Sequence, residues 1–370
     1  MYWYGRDEDR KFENKKDFIT LDSVDSLVLE EDPDFLDYLY FHNVIDKFCW
    51  LLKFQYSDRE TVKKKKYRID TLFQRFIVEN KFKAEKARKC ISPKVSEEKI
   101  EYHLSKGWLN EVVRSVPLHP DYLEIGTMLS SWDGPGSEGL MSWNIVQSYY
   151  AFYEFMCSTG VSIDDSLDTR GHKNVAKQYS NSLIGKGNGR VIYYPFNLTS
   201  RTPKSYIPVH PKHCQYHYAT YPREPGRGID DLQEEIQKAF SVLNSSGKRS
   251  VFDLMYELRL WANYTGLQSL MKLSDGGYQK FLVRNLATLV YFSGGMAELA
   301  AIAALGENKY KVMLKSFSKS YIDKHEQYAR NKFLIPTYIR LRSYKHLGII
   351  DGSIEFIIPE SSDPVKFINV

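Results

Sequence analysis

Cysteine is scarce in this sequence, and the few cysteines are widely scattered. The four cysteines among its 370 residues form no CxxC pair, and they are Cys49, Cys90, Cys157 and Cys214. This spacing excludes a disulfide framework and favours a reducing, cytoplasmic setting. The first residues also differ from a secretory signal peptide, because they are polar and charged from Arg6 onward.

A strong charge of one sign is absent as well. Lysine and arginine number 51 against 46 acidic residues, and the net charge of +5 permits an acidic partner without requiring one. Aromatic residues are abundant, with 27 tyrosines and 20 phenylalanines, which excludes disorder over most of the chain. A chain of this length forms one large domain or two to three small ones.

The familiar catalytic motifs are missing. The sequence contains no GxSxG elbow, no HExxH pair, no protein-kinase signature and no internal repeat. The glycine-rich run at residues 185–189 lacks the spacing of a Walker loop, so we interpret it as a tight turn.

The densest group of potential metal ligands is the segment HPKHCQYH at residues 210–217. Imidazole and thiolate are natural zinc ligands. However, no second ligand pair at a typical spacing occurs elsewhere, and the adjacent His213 and Cys214 would point apart in a strand. We therefore predict a proline-rich loop in which the histidines hydrogen-bond locally, with no metal and no cofactor.

The clearest helix is SWNIVQSYYAFYEFMC, residues 142–157. Ser142 is a candidate N-cap, and the preceding turn at residues 133–137 supplies a break before it. Apolar side chains fall on nearly every face of this helix. A helix of that kind is surrounded by other helices, so we predict that it is the central helix of a bundle.

The spacing of apolar residues predicts helices over most of the remaining chain. They cover residues 33–55, 63–93, 96–116, 175–184, 229–243, 250–264, 277–292, 296–305 and 309–328. Residues 286–305 are apolar enough to resemble a membrane span. The double glycine Gly294-Gly295 and the acidic Glu298 favour instead two buried helices that meet at the glycines, so we expect no contact with a membrane.

These patterns predict a mainly α fold: a helical bundle with a small irregular β-containing insertion and a C-terminal β-hairpin. The insertion is rich in proline, and the hairpin surrounds Asp351-Gly352. The predicted regions are an N-terminal helical region with the basic helix (1–116), the bundle (117–330) with its insertion (190–228), and the hairpin region (331–370).

The strongest local charge is the basic run between residues 63 and 93. One interpretation is a surface for nucleic-acid phosphates. The other, which is the commoner origin of such a pattern, is a solvated helix face. The candidate nucleic-acid-binding residues are Lys63, Lys64, Lys65, Lys66, Lys81, Lys83 and Arg88.

The central helix contains Tyr149-Tyr150-Ala151-Phe152-Tyr153, and a histidine-containing turn, Gly171-His172-Lys173, precedes a short predicted helix. This arrangement resembles the HEPN superfamily (higher eukaryotes and prokaryotes nucleotide-binding) of helical bundles, whose central helix often carries Tyr-Tyr-Ala-x-Phe. Tyr153 stands in place of the last Phe. The resemblance covers residues 131–184 and implies RNA chemistry or a role in antiviral defence and toxin systems.

Active members of that family carry an arginine and, a little over one helical turn further on, a histidine. The resemblance therefore implies metal-independent RNA cleavage, in which histidine takes the 2′-OH proton and arginine stabilises charge on the phosphate. Only Arg340 and His346 have the required separation, and they are the candidate catalytic residues. The alternative is that these two residues, Arg342 and Lys345 form a basic surface. Arg284-Asn285 lies on a suitable helix but lacks the histidine.

Three polar residues in or near the central helix are more simply explained by structural roles. Glu154 is the one acid of the aromatic helix, and we expect it to form a core ion pair with Arg284 or another cation. Arg170 and His172 are too close together for the catalytic pattern, and we expect them to shape the turn.

Three functions are compatible with these observations. We rank first a non-catalytic HEPN-like subunit of a prokaryotic antiviral defence system that binds RNA or a protein partner. The alternatives are a metal-independent HEPN-type ribonuclease and a structural protein-interaction subunit without nucleic-acid contact.

Overall fold

The structure is a computed structural model that describes residues 45, 48–49, 52, 56, 71–78, 95–115, 137–167, 169–178, 196, 251–264, 276–324 and 335–351. These residues are mostly helical and include no strand, which confirms the mainly α prediction for this part of the chain. In chain order the helices are α1 Glu97–Ser115, α2 Ser137–Ile163, α3 His172–Gln178, α4 Val251–Tyr264, α5 Gly276–Leu305, α6 Glu307–Lys324 and α7 Ile335–His346.

Helix α2 is the centre of the described bundle, as its sequence predicts. It packs against α1, α4 and α5, and every residue from 151 to 163 is buried. The predicted N-cap is wrong, because α2 begins at Ser137. The Ser142 hydroxyl lies inside the helix and donates instead to the carbonyl oxygen of Ala262, at 2.7 Å, which ties α2 to α4.

Helix α5 is continuous through Gly294-Gly295, so the predicted division into two helices is wrong. The glycines serve close packing. A Cβ atom built on Gly295 would lie 2.1 Å from Cε2 of Phe73, and one on Gly294 would lie 3.0 Å from Cζ of Arg340. The segment Asn285–Leu305 is long and apolar enough to span a membrane, but most of it is buried inside the protein.

The buried apolar residues form one cluster that draws members from all three predicted regions. Residues 71–78 are helical, with Leu72, Phe73, Phe76 and Ile77 buried, as the apolar spacing predicts. The Phe73 ring contacts the rings of Phe76, Tyr291, Phe292 and Tyr344, at centroid distances of 5.0 to 5.9 Å. The segment is therefore fastened to α5 and α7 by aromatic packing.

Local signals set several helix ends. Ser96 caps α1, since its hydroxyl accepts from the backbone N–H of Lys99 at 3.3 Å. Gly306, with a φ of 87°, separates α5 from α6, because a left-handed residue ends a helix and glycine adopts that conformation without strain.

The remaining structural predictions have mixed outcomes. Helices α1, α4 and α6 match their predicted ranges within a few residues, whereas α3 begins at His172, before the predicted start at residue 175. The hairpin is described only as far as residue 351, where residues 347–350 form turns and bends. Apart from Phe196, the predicted insertion lies outside the described residues.

The glycine pair provides a test of the packing. We expect Gly295→Ala to lower the free energy of unfolding by about 1–3 kcal/mol, because the new methyl group collides with a ring that four other rings hold in place. Gly294→Ala is the matched control, with a smaller expected loss because its contacts are longer. Urea denaturation measures both. Stabilisation by Gly295→Ala, as at an unhindered helical glycine, would contradict this packing.

Candidate functional site

Arg340 lies at the centre of a buried charge network that joins three helices. Its side chain on α7 is completely buried. Nη1 and Nη2 donate to the two carboxylate oxygens of Glu111 on α1, each at 2.8 Å. Nε and Nη2 donate to Oε1 of Glu298 on α5, at 3.0 and 2.9 Å. The guanidinium thus makes bidentate contacts with two carboxylates, which is its strongest mode of pairing.

Neutral donors complete this network. The indole Nε1 of Trp108 donates to Oε1 of Glu298, and the Tyr344 hydroxyl donates to Oε2, both at 2.9 Å. Burial raises the pKa of Tyr344, and the charge of Glu298 adds to the effect, so the phenol keeps its proton. Burial alone would lower the pKa of Arg340, but the two glutamates outweigh it and raise that pKa well above its ordinary value.

The predicted catalytic pair is not brought together by this arrangement. Arg340 is buried and saturated by carboxylates, whereas His346 is exposed at the end of α7. Six residues along a helix correspond to a rotation of about 240°, so the two side chains leave different faces. The alternative interpretation was a basic surface formed by Arg340, Arg342, Lys345 and His346. Arg342 and Lys345 are exposed, but Arg340 belongs to the core and not to a basic surface.

A second polar group lies where α2, α3 and α4 meet. We call it the tyrosine–histidine cluster, and its members are Tyr149, Tyr150 and Tyr153 of α2, His172 of α3, and Tyr256 and Arg259 of α4. The Tyr149 hydroxyl and Nδ1 of His172 are 2.7 Å apart. The imidazole ring packs edge-on against Tyr153, at 4.6 Å between centroids, and stacks on Tyr256 at 5.8 Å.

Arg259 is the cation of this cluster. Its guanidinium carbon lies 5.4 Å from the ring centroids of Tyr149 and Tyr256 and 5.8 Å from that of Tyr150. Nη1 donates to the Tyr150 hydroxyl at 3.1 Å. Nε is buried, and no described residue accepts a hydrogen bond from it. Within the described ranges, no carboxylate lies within ion-pair distance of this arginine, in contrast to Arg340.

The cluster favours the uncharged forms of His172 and Tyr149. Burial lowers the pKa of His172, and the positive charge of Arg259 lowers it further, while Glu154 acts in the opposite direction. Burial also raises the pKa of Tyr149 far above its ordinary value. At neutral pH, therefore, neutral rings surround a single positive charge.

Glu154 borders the cluster on the side of α1. Its Oε2 lies 2.7 Å from Nδ1 of His103, and both side chains are buried. The expectation of a buried partner for Glu154 is confirmed, and the described partner is the imidazole of His103 on another helix. The side chain of Arg284, the other candidate, lies outside the described part of the chain. The neighbouring Tyr153 hydroxyl donates to the carbonyl oxygen of Thr169 at 2.7 Å, which holds the loop before α3 against α2.

Sequence reasoning missed Arg259 and assigned His172 only to the turn. His172 does follow the turn residue Gly171, whose φ is 79°, but its ring points into the aromatic cluster. The sequence did contain a signal that His172 belongs to the cluster, because this residue lies in the turn after the helix that carries Tyr149-Tyr150-Ala151. The signal for Arg259 was weaker and consisted of a cation within the largely apolar helix α4.

The other candidate residues lie outside the described part of the chain. They are the basic residues Lys63, Lys64, Lys65, Lys66, Lys81, Lys83 and Arg88, and the potential ligands at 210–217. Among the residues that the structure does describe, no group of three or more histidine, cysteine or acidic side chains is arranged to hold a metal ion. Comparison of the chain with protein-family models, curated proteins and solved structures finds no match.

The charge network predicts a large effect of removing its cation. We expect Arg340→Met to lower the free energy of unfolding by about 3–5 kcal/mol, because it leaves Glu111 and Glu298 buried without their guanidinium. Arg342→Met, on the exposed face of the same helix, should change stability little. Urea denaturation distinguishes them, and the triple variant E111Q/E298Q/R340M should recover part of the loss. Equal midpoints for the two single variants would refute the network.

His172 predicts an acid-dependent loss of stability. Its pKa in the folded protein lies below the unfolded value, so the unfolded chain binds a proton more readily. The stabilising contribution of the neutral imidazole is complete above about pH 6.5 and declines as the pH falls toward the folded pKa. We expect wild type to lose more stability than His172→Gln between neutral and mildly acidic pH. His346→Gln is the control, and an identical pH dependence of wild type and His172→Gln would contradict this assignment.

Proposed function

We propose that this protein is a non-catalytic, HEPN-like RNA-binding subunit of a prokaryotic antiviral defence system that works in the cytoplasm alongside other protein subunits. The observation that carries the proposal is Arg259, a half-buried cation among tyrosine rings with no carboxylate partner in the described residues. Aromatic rings stack on bases, and arginine pairs with phosphate, so this combination is typical of single-stranded nucleic-acid recognition.

The environment of Arg340 favours RNA binding over RNA cleavage. The alternative, a metal-independent ribonuclease, needs an arginine that reaches the phosphate of its substrate. Arg340 is completely buried and held by two glutamates, and His346 lies on another face of α7. Their arrangement therefore supports a structural role for Arg340 in this protein.

RNA is favoured over a purely protein partner by two separate features. The first is the exposed edge of the tyrosine–histidine cluster, where Tyr150, Tyr256 and Arg259 are half-buried. The second is the basic run at residues 63–93, which supplies the several positive charges that non-specific affinity for a phosphate backbone requires. The proposed role in antiviral defence rests on the resemblance of residues 131–184 to the HEPN superfamily.

One experiment distinguishes RNA binding from RNA cleavage. Purified protein is incubated with labelled single-stranded RNA and DNA, with and without EDTA, over a range of salt concentrations. We expect RNA to be retained intact and released by salt, with log K falling linearly against log salt by roughly 0.7 for each phosphate neutralised.

Variants that remove positive charges identify which part of the chain binds RNA. Replacing Lys63, Lys64, Lys65 and Lys66 with glutamine should reduce both the affinity and the salt slope, because counterion release decreases. A matched control removes four exposed charges elsewhere, in K315Q/K319Q/R342Q/K345Q, and should bind as wild type does. Cleavage that survives EDTA would favour the ribonuclease. Absence of both cleavage and retention would favour a structural protein-interaction subunit.

A further inference from the structure

We infer that the tyrosine–histidine cluster is a site for a phosphate monoester, the group that ends a phosphorylated RNA chain or a free mononucleotide. The inference rests on the proposed function and names the part of the RNA that this site would take. Arg259 carries hydrogen-bond donors that no described residue uses.

Arg259 presents one used and one unused side of its guanidinium. Nη1 donates to the hydroxyl of Tyr150, while no described residue accepts a hydrogen bond from Nε or Nη2. The Nε–Nη2 edge carries two parallel N–H groups, which match two oxygens of a phosphate or carboxylate. A buried donor without a partner is costly, so an anion at this edge gains a strong interaction and removes an unsatisfied group.

His172 belongs to the same cluster, and one of its ring nitrogens has no described hydrogen-bond partner. Its Nδ1 is engaged with the Tyr149 hydroxyl, and no described residue hydrogen-bonds its Nε2. Burial and the positive charge of Arg259 lower the pKa of His172, so the imidazole is neutral at neutral pH and one of its two ring nitrogens carries a proton. The proposed donors to the anion are the two N–H groups of the Nε–Nη2 edge and, in the tautomer with the proton on Nε2, the Nε2–H group of His172.

The recessed position of this edge favours a chain end. Nε of Arg259 is buried although the side chain as a whole is partly exposed, so a ligand oxygen reaches Nε only after a local rearrangement of its neighbours. An internal phosphodiester carries a ribose on both sides and one negative charge. A monoester protrudes from one ribose and carries close to two negative charges at neutral pH, so it enters further and interacts more strongly with one guanidinium.

The surrounding rings define the second part of the ligand. Tyr150 and Tyr256 flank the guanidinium and are partly exposed, so the base or ribose next to the phosphate has an aromatic surface to contact. Glu154, which contributes negative charge near His172, is already bound to His103 at 2.7 Å. The single cation therefore remains the dominant charge for an incoming anion.

Binding of end-modified RNA tests the inference. The probes are single-stranded oligonucleotides of about eight nucleotides with a 5′-phosphate, a 3′-phosphate or hydroxyls at both ends, followed by fluorescence anisotropy. We expect one phosphorylated end to bind at least about tenfold more tightly than the hydroxyl form, since charge-assisted hydrogen bonds are gained. Competition by AMP but not adenosine assigns the site to free mononucleotides as well, whereas competition by neither assigns it to RNA ends.

Variants of Arg259 connect the preference to the site. Arg259→Gln should abolish the preference for phosphorylated ends, and Arg259→Lys, which keeps the charge but loses the fork, should retain part of it. His172→Gln should weaken it. Arg342→Gln is the matched control on an exposed helical face, and circular dichroism verifies that each variant is folded.

The possible outcomes separate this inference from the proposed function. RNA that is retained with equal affinity for phosphorylated and hydroxyl ends overturns the monoester site and leaves RNA binding intact. An end preference that persists in Arg259→Gln also overturns it. Absence of any RNA binding, combined with no binding of AMP or inorganic phosphate, overturns both proposals.

Discussion

The buried contact between Arg340 and two glutamates is the constraint on which much of the described bundle depends. Each partner comes from a different helix, with Glu111 on α1 and Glu298 on α5. Neither glutamate is tolerable in the core without the guanidinium, because an unpaired buried ion costs several kcal/mol. The three helices are therefore fixed relative to one another by position-specific polar contacts as well as by apolar packing.

Glycine makes this contact possible. The guanidinium of Arg340 and the Phe155 ring both approach the backbone of α5 at Gly294, where a Cβ atom would lie 3.0 Å from each. The next residue, Gly295, accepts the ring of Phe73. A side chain at either position would separate α5 from its neighbours. The double glycine thus allows close packing of α5 against its neighbours and does not break the helix.

The two central arginines illustrate how surroundings determine chemistry. Arg340 is enclosed by carboxylates and contributes to the fold, whereas Arg259 is surrounded by tyrosine rings and a neutral histidine, with no carboxylate partner among the described residues. The sequence suggests the reverse assignment, with Arg340 on the surface and Arg259 in the core, because Arg340 lies in a charged stretch and Arg259 in a largely apolar helix. Spacing along the chain pointed to Arg340 with His346, but helical rotation and burial separate those side chains.

The sequence by itself determined the mainly helical character, the central position of α2, and the approximate ranges of α1, α4 and α6. Those features follow from apolar periodicity, which is a local property of the chain. Only the tertiary structure decided that α5 continues through its glycines, that Glu154 pairs with His103, and that Arg259 and His172 belong to one cluster of tyrosine rings. Each of these depends on residues from different helices, and local sequence carries no information about which side chains will meet across the core.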